Sequence, residues 1–336
     1  MRFGPVATRD SAGLIAAHTV RAEGATLRKG RRIPAEEARR LAESGHEEIV
    51  AVRLDPGDVG EDEAAARLAL HLAGEGLAPE RAFTGRCNLV AGAAGLLLVD
   101  PAGIDAVNLV DEAITVATLP AFRPVAAGEM VATIKIIPYA VAGSALERAL
   151  AVAPRPPLRL APYRLKRVGV VSTLLPGLKP ATVAKTLRVL ADRLAPAGAG
   201  IVAETRVPHA GGSVADALTR MAAEGCDLAV VFGASAIADR RDVIPAGLEA
   251  AGGRVEQFGM PVDPGNLLLL GHLGAMPVIG APGCARSPKE NGFDFVLHRL
   301  LAGLPVTRAD IVRMGVGGLL SEIFQRGQPR AGSEDA

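Results

Sequence analysis

Strands and helices alternate between Val168 and about Gly303, and this alternation constrains the fold more than any other feature of the sequence. Within it, Asp227–Phe232 is an apolar run bounded by a charge and a glycine, and it is too short for a helix. Such runs are typical of strands buried in a parallel sheet. Repeated strand–helix units predict a three-layer α/β domain with a mostly parallel sheet and right-handed crossovers.

The loop Gly233–Asp242 leaves the carboxyl end of that strand, at the edge where open α/β sheets bind their ligands. Its small side chains, with Gly233 and Ser235, allow backbone N–H groups to approach an anion. Asp239 and Asp242 can hold a metal ion or orient a substrate amine. A solvated turn in which Asp242 caps the next helix explains the same residues about equally well.

A second candidate loop follows the strand Val168–Val171 and leads to a helix that begins at Pro180. Ser172, Thr173 and Lys179 in this loop can bind phosphate through hydroxyls, backbone amides and a positive charge at the helix start. Considered alone, however, these residues favour an ordinary capped turn between a strand and a helix.

The third candidate loop covers 280–291 and is long for a connection between a strand and a helix. Loops of this kind are usually functional or disordered. Arg286, Ser287 and Lys289 can neutralise a phosphate there. Cys284 is interpreted as a small loop thiol rather than a nucleophile. His209, which follows a strand, is interpreted as a satisfied structural histidine.

The rest of the chain divides into smaller pieces. Residues 1–73 predict a small α+β unit, and residues 74–157 predict a β-rich, barrel-like or sandwich-like module with a strand at Ala106–Leu109. A stiff Pro154–Pro157 linker leads to the α/β domain at 158–305. Residues 306–336 form a C-terminal extension whose end is expected to fray.

Composition excludes several classes of function. The chain has 336 residues, a net charge of +1 and only 3% aromatic residues, which argues against nucleic-acid binding. No apolar stretch approaches the roughly 20 residues of a membrane span. The three cysteines fit neither a disulfide framework nor a zinc site, so a reduced, cytoplasmic location is expected.

The region 165–303 resembles the molybdopterin-binding domain shared by molybdopterin adenylyltransferase and molybdopterin molybdotransferase. Gly233-Ala-Ser-Ala236 stands at that family's Gly-Gly-Thr-Gly loop, and Arg241–Pro245 at its Arg-Asp and Thr-Pro. Ala281–Cys284 resembles the family's Leu-Pro-Gly-Asn-Pro turn, which adds Pro282 and Gly283 to the expected cofactor-binding residues. His209 follows Val207-Pro208 where the family usually has an aspartate.

Two segments of the N-terminal half are distantly similar to the extra domains of the molybdotransferase. They are Thr84-Gly85 and Gly103–Val107. The central loop departs from the family pattern at Ala234 and Ala236, where alanine replaces glycine. We expect these methyl groups to crowd the ligand and glycine-only dihedrals to become costly.

The resemblance implies binding of molybdopterin or the molybdenum cofactor, with Mg²⁺ as a further cofactor. The chain would act in biosynthesis or maturation of the cofactor, working with a nucleotidyltransferase and forming a homo-oligomer. One alternative is an active molybdotransferase-like or adenylyltransferase-like enzyme that uses Mg²⁺ for nucleotidyl transfer or cleavage. In that enzyme Asp239 and Asp242 are catalytic and Asp242 is the metal ligand. A non-catalytic scaffold with a decayed pocket is the other alternative.

Overall fold

A computed structural model describes residues 1–22 and 25–319. One compact unit comprises Met1–Ala93 with Leu97–Leu160, and the other comprises Ala94–Leu96 with the chain from Ala161 onward. The division of the N-terminal half near residue 73 stays a prediction. The expected fraying of the C-terminal end lies outside the described residues.

The strands are short in the N-terminal half and longer in the C-terminal half. In chain order they are β1 (Arg2–Ala7), β2 (Ile15–Ala16), β3 (Val20–Ala22), β4 (Ala25–Leu27), β5 (Glu48–Arg53), β6 (Asp58–Gly60), β7 (Leu77–Pro79), β8 (Arg86–Ala91), β9 (Gly95–Val99), β10 (Ile114–Thr118), β11 (Pro124–Val125), β12 (Met130–Ile136), β13 (Ala140–Ala142), β14 (Leu158–Pro162), β15 (Arg167–Leu174), β16 (Gly200–Pro208), β17 (Leu228–Phe232), β18 (Arg254–Phe258), β19 (Leu269–Leu273) and β20 (Met276–Ala281).

The α-helices alternate with these strands. They are α1 (Ala35–Glu43), α2 (Glu61–Leu72), α3 (Pro101–Asn108), α4 (Gly143–Val152), α5 (Pro180–Leu194), α6 (Gly211–Ala223), α7 (Val243–Ala250), α8 (Gly292–Leu301) and α9 (Arg308–Val312). Within the described residues, no helix is both long enough and apolar enough to cross a membrane.

The first unit contains small antiparallel sheets, among them β1-β5-β2 and β10-β12-β8-β7. Its largest core joins α2, α3 and α4 to the second of these sheets through buried residues such as Leu68, Leu89 and Leu146. The strand predicted at Ala106–Leu109 is wrong, because these residues belong to the end of α3 and its C-cap. Pro101 begins that helix, and Ile104 and Val107, one turn apart, both pack into the core.

The second unit confirms the predicted mostly parallel sheet. Its strand order is β16-β15-β17-β20-β19-β18, and the first four strands run parallel while β19 is antiparallel to both neighbours. Every residue of β17 is buried, as expected for a strand covered on both faces. Helices α6 and α7 pack on one face through residues such as Leu218 and Leu248. Right-handed crossovers would place α5 on the opposite face, and this handedness stays a prediction.

Strand β15 is longer than the sequence suggests. Ser172 and Thr173, predicted to lie in a loop, continue the strand, and their side chains are 3% and 1% exposed. Parallel pairing with β16 extends as far as Leu174 opposite Pro208, and pairing with β17 places Ser172 opposite Phe232. Hydrogen bonds to two neighbouring strands therefore hold polar residues in an extended conformation that local sequence did not predict.

Candidate functional site

Loops at the carboxyl edge of the six-stranded sheet are joined by hydrogen bonds. The hydroxyl oxygen of Thr173, at the end of β15, accepts the Ala234 N–H at 2.8 Å. Arg286, after β20, donates from Nη2 to the carbonyl oxygen of Gly233, after β17, at 2.6 Å. The structure thus brings together Thr173, Gly233 and Arg286, which the sequence placed in three separate candidate loops.

His209 lies between two of the predicted residues. Its Nδ1 is 2.8 Å from Thr173 Oγ1, and its Nε2 is 3.1 Å from Ser235 Oγ. Sequence reasoning gave His209 only a structural role. The signal that could have found it is its position just after β16, because parallel strands bring their carboxyl ends to one edge.

The Arg286 side chain is half-buried against the sheet. Its Nη1 donates to Thr186 Oγ1 at 3.2 Å, and its guanidinium lies over the Phe232 ring, 5.4 Å from the centroid. Burial lowers the pKa of Arg286, although an arginine remains a cation in proteins. Ser172 lies opposite Phe232, and its buried hydroxyl has no hydrogen-bond partner among the described residues. Phe232 therefore has a half-buried cation over its ring and a buried, unpaired hydroxyl on the neighbouring strand.

Arg193 of α5 holds the third loop through hydrogen bonds to its backbone. It donates to the carbonyl oxygens of Ala285 at 2.9 Å and Ser287 at 2.8 Å, and to Lys289 O at 3.1 Å. Asn291 closes the loop, since it caps α8 in a capping box with Asp294. The long 282–291 connection is therefore ordered by side chains, and a short 3₁₀ helix at Gly283–Arg286 gives it regular structure.

A pocket of about 330 Å³ opens on this third loop. Its lining includes the predicted residues Gly283, Ser287 and Lys289, and the remaining lining residues are Pro264, Cys284, Glu290 and Asn291. The predicted Pro282 is buried beside them. Burial raises the pKa of Cys284, and the thiol donates to Asn291 Oδ1 at 3.5 Å. Both observations describe a protonated thiol rather than an activated one.

Asp242 caps helix α7. Its Oδ1 accepts the Val243 N–H at 2.7 Å and its Oδ2 accepts the Ala238 N–H at 3.1 Å. No group of three or more His, Cys, Asp or Glu side chains suited to a metal occurs among the residues that the structure describes. Magnesium, however, is commonly bound by one or two carboxylates together with substrate phosphates. Asp242 fits such a site as one ligand, and its predicted catalytic and metal roles stay predictions.

Asp239 lies on the outer part of the same loop. Its Oδ1 accepts hydrogen bonds from the backbone N–H of Arg241 at 2.9 Å and from Arg241 Nε at 2.7 Å. The bond from the Arg241 side chain is the main cause that lowers the pKa of Asp239. The carboxylate is therefore ionised and exposed, and its predicted catalytic role stays a prediction.

Two helices begin at this edge without a side-chain cap. Lys179 is the exposed N-cap residue of α5, and Ala210 is the N-cap of α6. Ser213, a residue type that often caps helices, does not cap α6, because the helix begins at Gly211 and Ser213 lies inside its first turn. Uncapped helix starts leave backbone N–H groups available to an anion.

The alanines of the central loop are not strained. The only residues other than glycine with positive φ among those described are Thr84, Phe122 and Leu319, so the expected cost at Ala234 and Ala236 is absent. Gly233 is the position that requires glycine. A Cβ there would lie 2.5 Å from the carbonyl oxygen of Ser235 and 3.0 Å from Ile244 Cδ1.

No protein-family model matches the sequence, and no curated protein is similar to it at a significant level. Among solved structures, the chain is similar to the molybdopterin biosynthesis MoeA protein from Pyrococcus horikosii, with 15% identity and a TM-score of 0.32. That match covers 90% of this chain and 75% of the other.

Two shorter proteins match 42% of this chain. The molybdopterin biosynthesis enzyme MoaB from Thermus thermophilus has 19% identity, 99% of its own chain covered and a TM-score of 0.29. The molybdopterin biosynthesis Mog protein from Mycobacterium ulcerans has 17% identity, 100% of its chain covered and a TM-score of 0.30.

Proposed function

We propose that this chain binds molybdopterin or the molybdenum cofactor at the carboxyl edge of its six-stranded sheet, in the biosynthesis or maturation of that cofactor. The observation that carries the proposal is that hydrogen bonds connect the central loop, which stands at the family's Gly-Gly-Thr-Gly motif, to the end of β15 and to the loop after β20. Thr173 and Ala234 are 61 residues apart in sequence and Arg286 and Gly233 are 53 apart, yet both pairs are hydrogen-bonded.

The edge has the chemistry that a phosphate-bearing heterocycle requires. Arg286 and Lys179 supply positive charge near the loops, and Lys289 lines the adjacent pocket. The uncapped N-terminus of α5 supplies backbone N–H groups for a phosphate. The hydroxyls of Thr173 and Ser235 add polar groups that can select the orientation of a pterin ring.

Mg²⁺ belongs to this proposal as a partner of the ligand's phosphates. When bound, the ion would neutralise phosphate charge, and Asp242 would hold it together with phosphate oxygens. The enzyme alternative uses the same carboxylate. Turnover of a pterin with ATP or CTP and Mg²⁺ tests that alternative, because Asp242→Asn should abolish turnover while preserving the helix cap.

Titration calorimetry with molybdopterin and with its nucleotide forms tests the binding proposal. Lys179→Gln should weaken binding about tenfold, which corresponds to about 1.4 kcal/mol. Lys185→Gln is the matched control, because this exposed lysine lies on the same helix but within its body. Absence of binding by the folded wild-type chain with every pterin form would leave the scaffold alternative and end this proposal.

The proposal extends to location and assembly. All three cysteines are free, as a reducing, cytoplasmic compartment would leave them. We expect a homo-oligomer that works with a cofactor-modifying nucleotidyltransferase. The sheet ends on one side at β16, whose Val202 side chain is 48% exposed, and edge strands of this kind favour association. Light scattering coupled to gel filtration measures the assembly directly.

A further inference from the structure

We propose that Ser235, His209 and Thr173 form a nucleophilic centre that acts on carboxylic esters. In this centre Ser235 is the nucleophile, His209 is its general base, and Thr173 is a positioning residue. The inference is carried by the 3.1 Å distance from Ser235 Oγ to His209 Nε2 and the 2.8 Å distance from His209 Nδ1 to Thr173 Oγ1. It depends on these side chains and not on whether the ligand is a pterin.

Solvent exposure decreases from Ser235 through His209 to Thr173. Ser235 is exposed, His209 is half-buried, and Thr173 is 1% exposed. A substrate can therefore reach the serine hydroxyl, while the group that fixes the imidazole is held inside the sheet. A nucleophile within hydrogen-bond reach of a base that a third group orients is the general signature of nucleophilic catalysis.

The proton positions decide whether the histidine can act as a base. Thr173 Oγ1 accepts the Ala234 N–H, and its second lone pair can accept Nδ1–H of His209. This arrangement leaves an unprotonated Nε2 facing the Ser235 hydroxyl. The opposite arrangement, in which Thr173 donates to Nδ1, puts the proton on Nε2 and is unreactive. The proposal assigns the first arrangement to the reactive form.

The start of α6 supplies a place for negative charge. The helix begins at Gly211, two residues after His209, and has no side-chain cap. A Cβ at Gly212 would meet nothing within 4 Å, so the first turn is open at this point. The proposal assigns the N–H groups of this first turn, which no side chain caps, to the oxyanion that forms when an ester carbonyl is attacked.

The reaction balances with an ester and water alone. Ser235 Oγ forms a bond to the carbonyl carbon as its proton moves to His209 Nε2. The bond from that carbon to the alkoxy oxygen then breaks, and the alcohol leaves with the proton from Nε2. Water attacks the acyl-serine, gives a proton to Nε2, and releases the carboxylic acid as Ser235 regains its hydrogen.

A fluorophosphonate probe tests the centre without a known substrate. Ser235 Oγ attacks phosphorus, the P–F bond breaks, fluoride leaves, and the serine proton passes to His209. Intact-mass measurement and peptide mapping of the full chain, without pterin, should show one adduct on Ser235. The rate of p-nitrophenyl acetate hydrolysis should change in the same variants that change the rate of labelling. Ser235→Ala should abolish both signals, and His209→Gln should slow both about 100-fold or more.

Two further variants separate positioning from folding. Thr173→Val should slow labelling and Thr173→Ser should restore it, because serine keeps the hydroxyl that holds Nδ1. Ser144→Ala is the matched control, since Ser144 is an exposed serine on α4, and this variant should label like the parent. Circular dichroism confirms that each variant is folded.

Absence of an adduct on Ser235 in the folded parent, or an unchanged rate in His209→Gln, overturns the inference. The pterin titration is independent of these outcomes. Labelling without pterin binding contradicts only the proposed function, and pterin binding without labelling contradicts only the nucleophilic centre.

Discussion

Arg193 and Asp294 form a buried ion pair between helices α5 and α8, with Nε and Oδ1 2.6 Å apart and both side chains 8% exposed. The same guanidinium donates to backbone carbonyls of the 282–291 loop and lies 5.8 Å from the centroid of the Phe293 ring. Asp294 in turn completes the capping box of α8. The Arg193–Asp294 ion pair therefore connects α5 to α8, and the same arginine holds the loop that lines the pocket.

Arg193→Met should destabilise the chain by about 3–5 kcal/mol, because removal of one partner leaves the other charge buried and unpaired. Urea unfolding monitored by circular dichroism measures this change. Arg188→Met is the control, since Arg188 is an exposed residue of the same helix. Equal stability losses in the two variants would contradict the assigned role of Arg193.

Asp242→Ala should lower stability by about 1 kcal/mol, because it removes the side-chain acceptor at the start of α7. Asp242→Asn should keep nearly all of the stability, since asparagine is an equally good N-cap. Asp239→Ala should have no measurable effect, because its ion pair with Arg241 is exposed. Thermal unfolding of the three variants checks this ranking, and a greater loss in Asp239→Ala than in Asp242→Ala would reverse the assignment.

His298 should make the fold sensitive to acid. Burial is the main cause that lowers the pKa of His298. The charge of Asp294 opposes this shift and the charge of Arg193 reinforces it. The Tyr163 hydroxyl is hydrogen-bonded to His298 Nδ1 at 2.8 Å. Below about pH 6.5 the unfolded chain binds a proton that the folded chain resists, so the free energy of unfolding falls as pH falls. The fall should be smaller in His298→Gln. Urea midpoints between pH 8 and 5 for both proteins measure the difference.

Tyr163 should ionise far above the usual range, because burial raises its pKa to about 12. The chain has only two tyrosines and no tryptophan, so absorbance near 295 nm reports them without interference. Tyr139→Phe isolates Tyr163, and its titration midpoint should lie near 12 while circular dichroism shows a folded chain. Above pH 10 the unfolded tyrosine ionises and the folded one does not, so stability should fall there. A midpoint near 10 in folded protein would contradict the burial of this phenol.

Local pattern was enough to predict strand β17 and the start of helix α5 in the second unit. The apolar run before Gly233 is strand β17, and helix α5 begins at Pro180 as expected. Local pattern was not enough at α3, because a stretch as short as Ala106–Leu109 fits a strand or a helix equally well. Burial of Ile104 and Val107 in the core of the first unit decides that case, and no local pattern carries this information.

The sequence by itself determined the mostly parallel α/β sheet and three loops with polar groups suited to its carboxyl edge, because burial and turn chemistry act over a few residues. Only the tertiary structure decided that Ser172 and Thr173 lie in a strand and that His209 connects Thr173 with Ser235. Those hydrogen bonds join residues 36 and 26 positions apart. Strand pairing brings such residues together, and hydrogen bonds at that separation depend on the fold rather than on local composition.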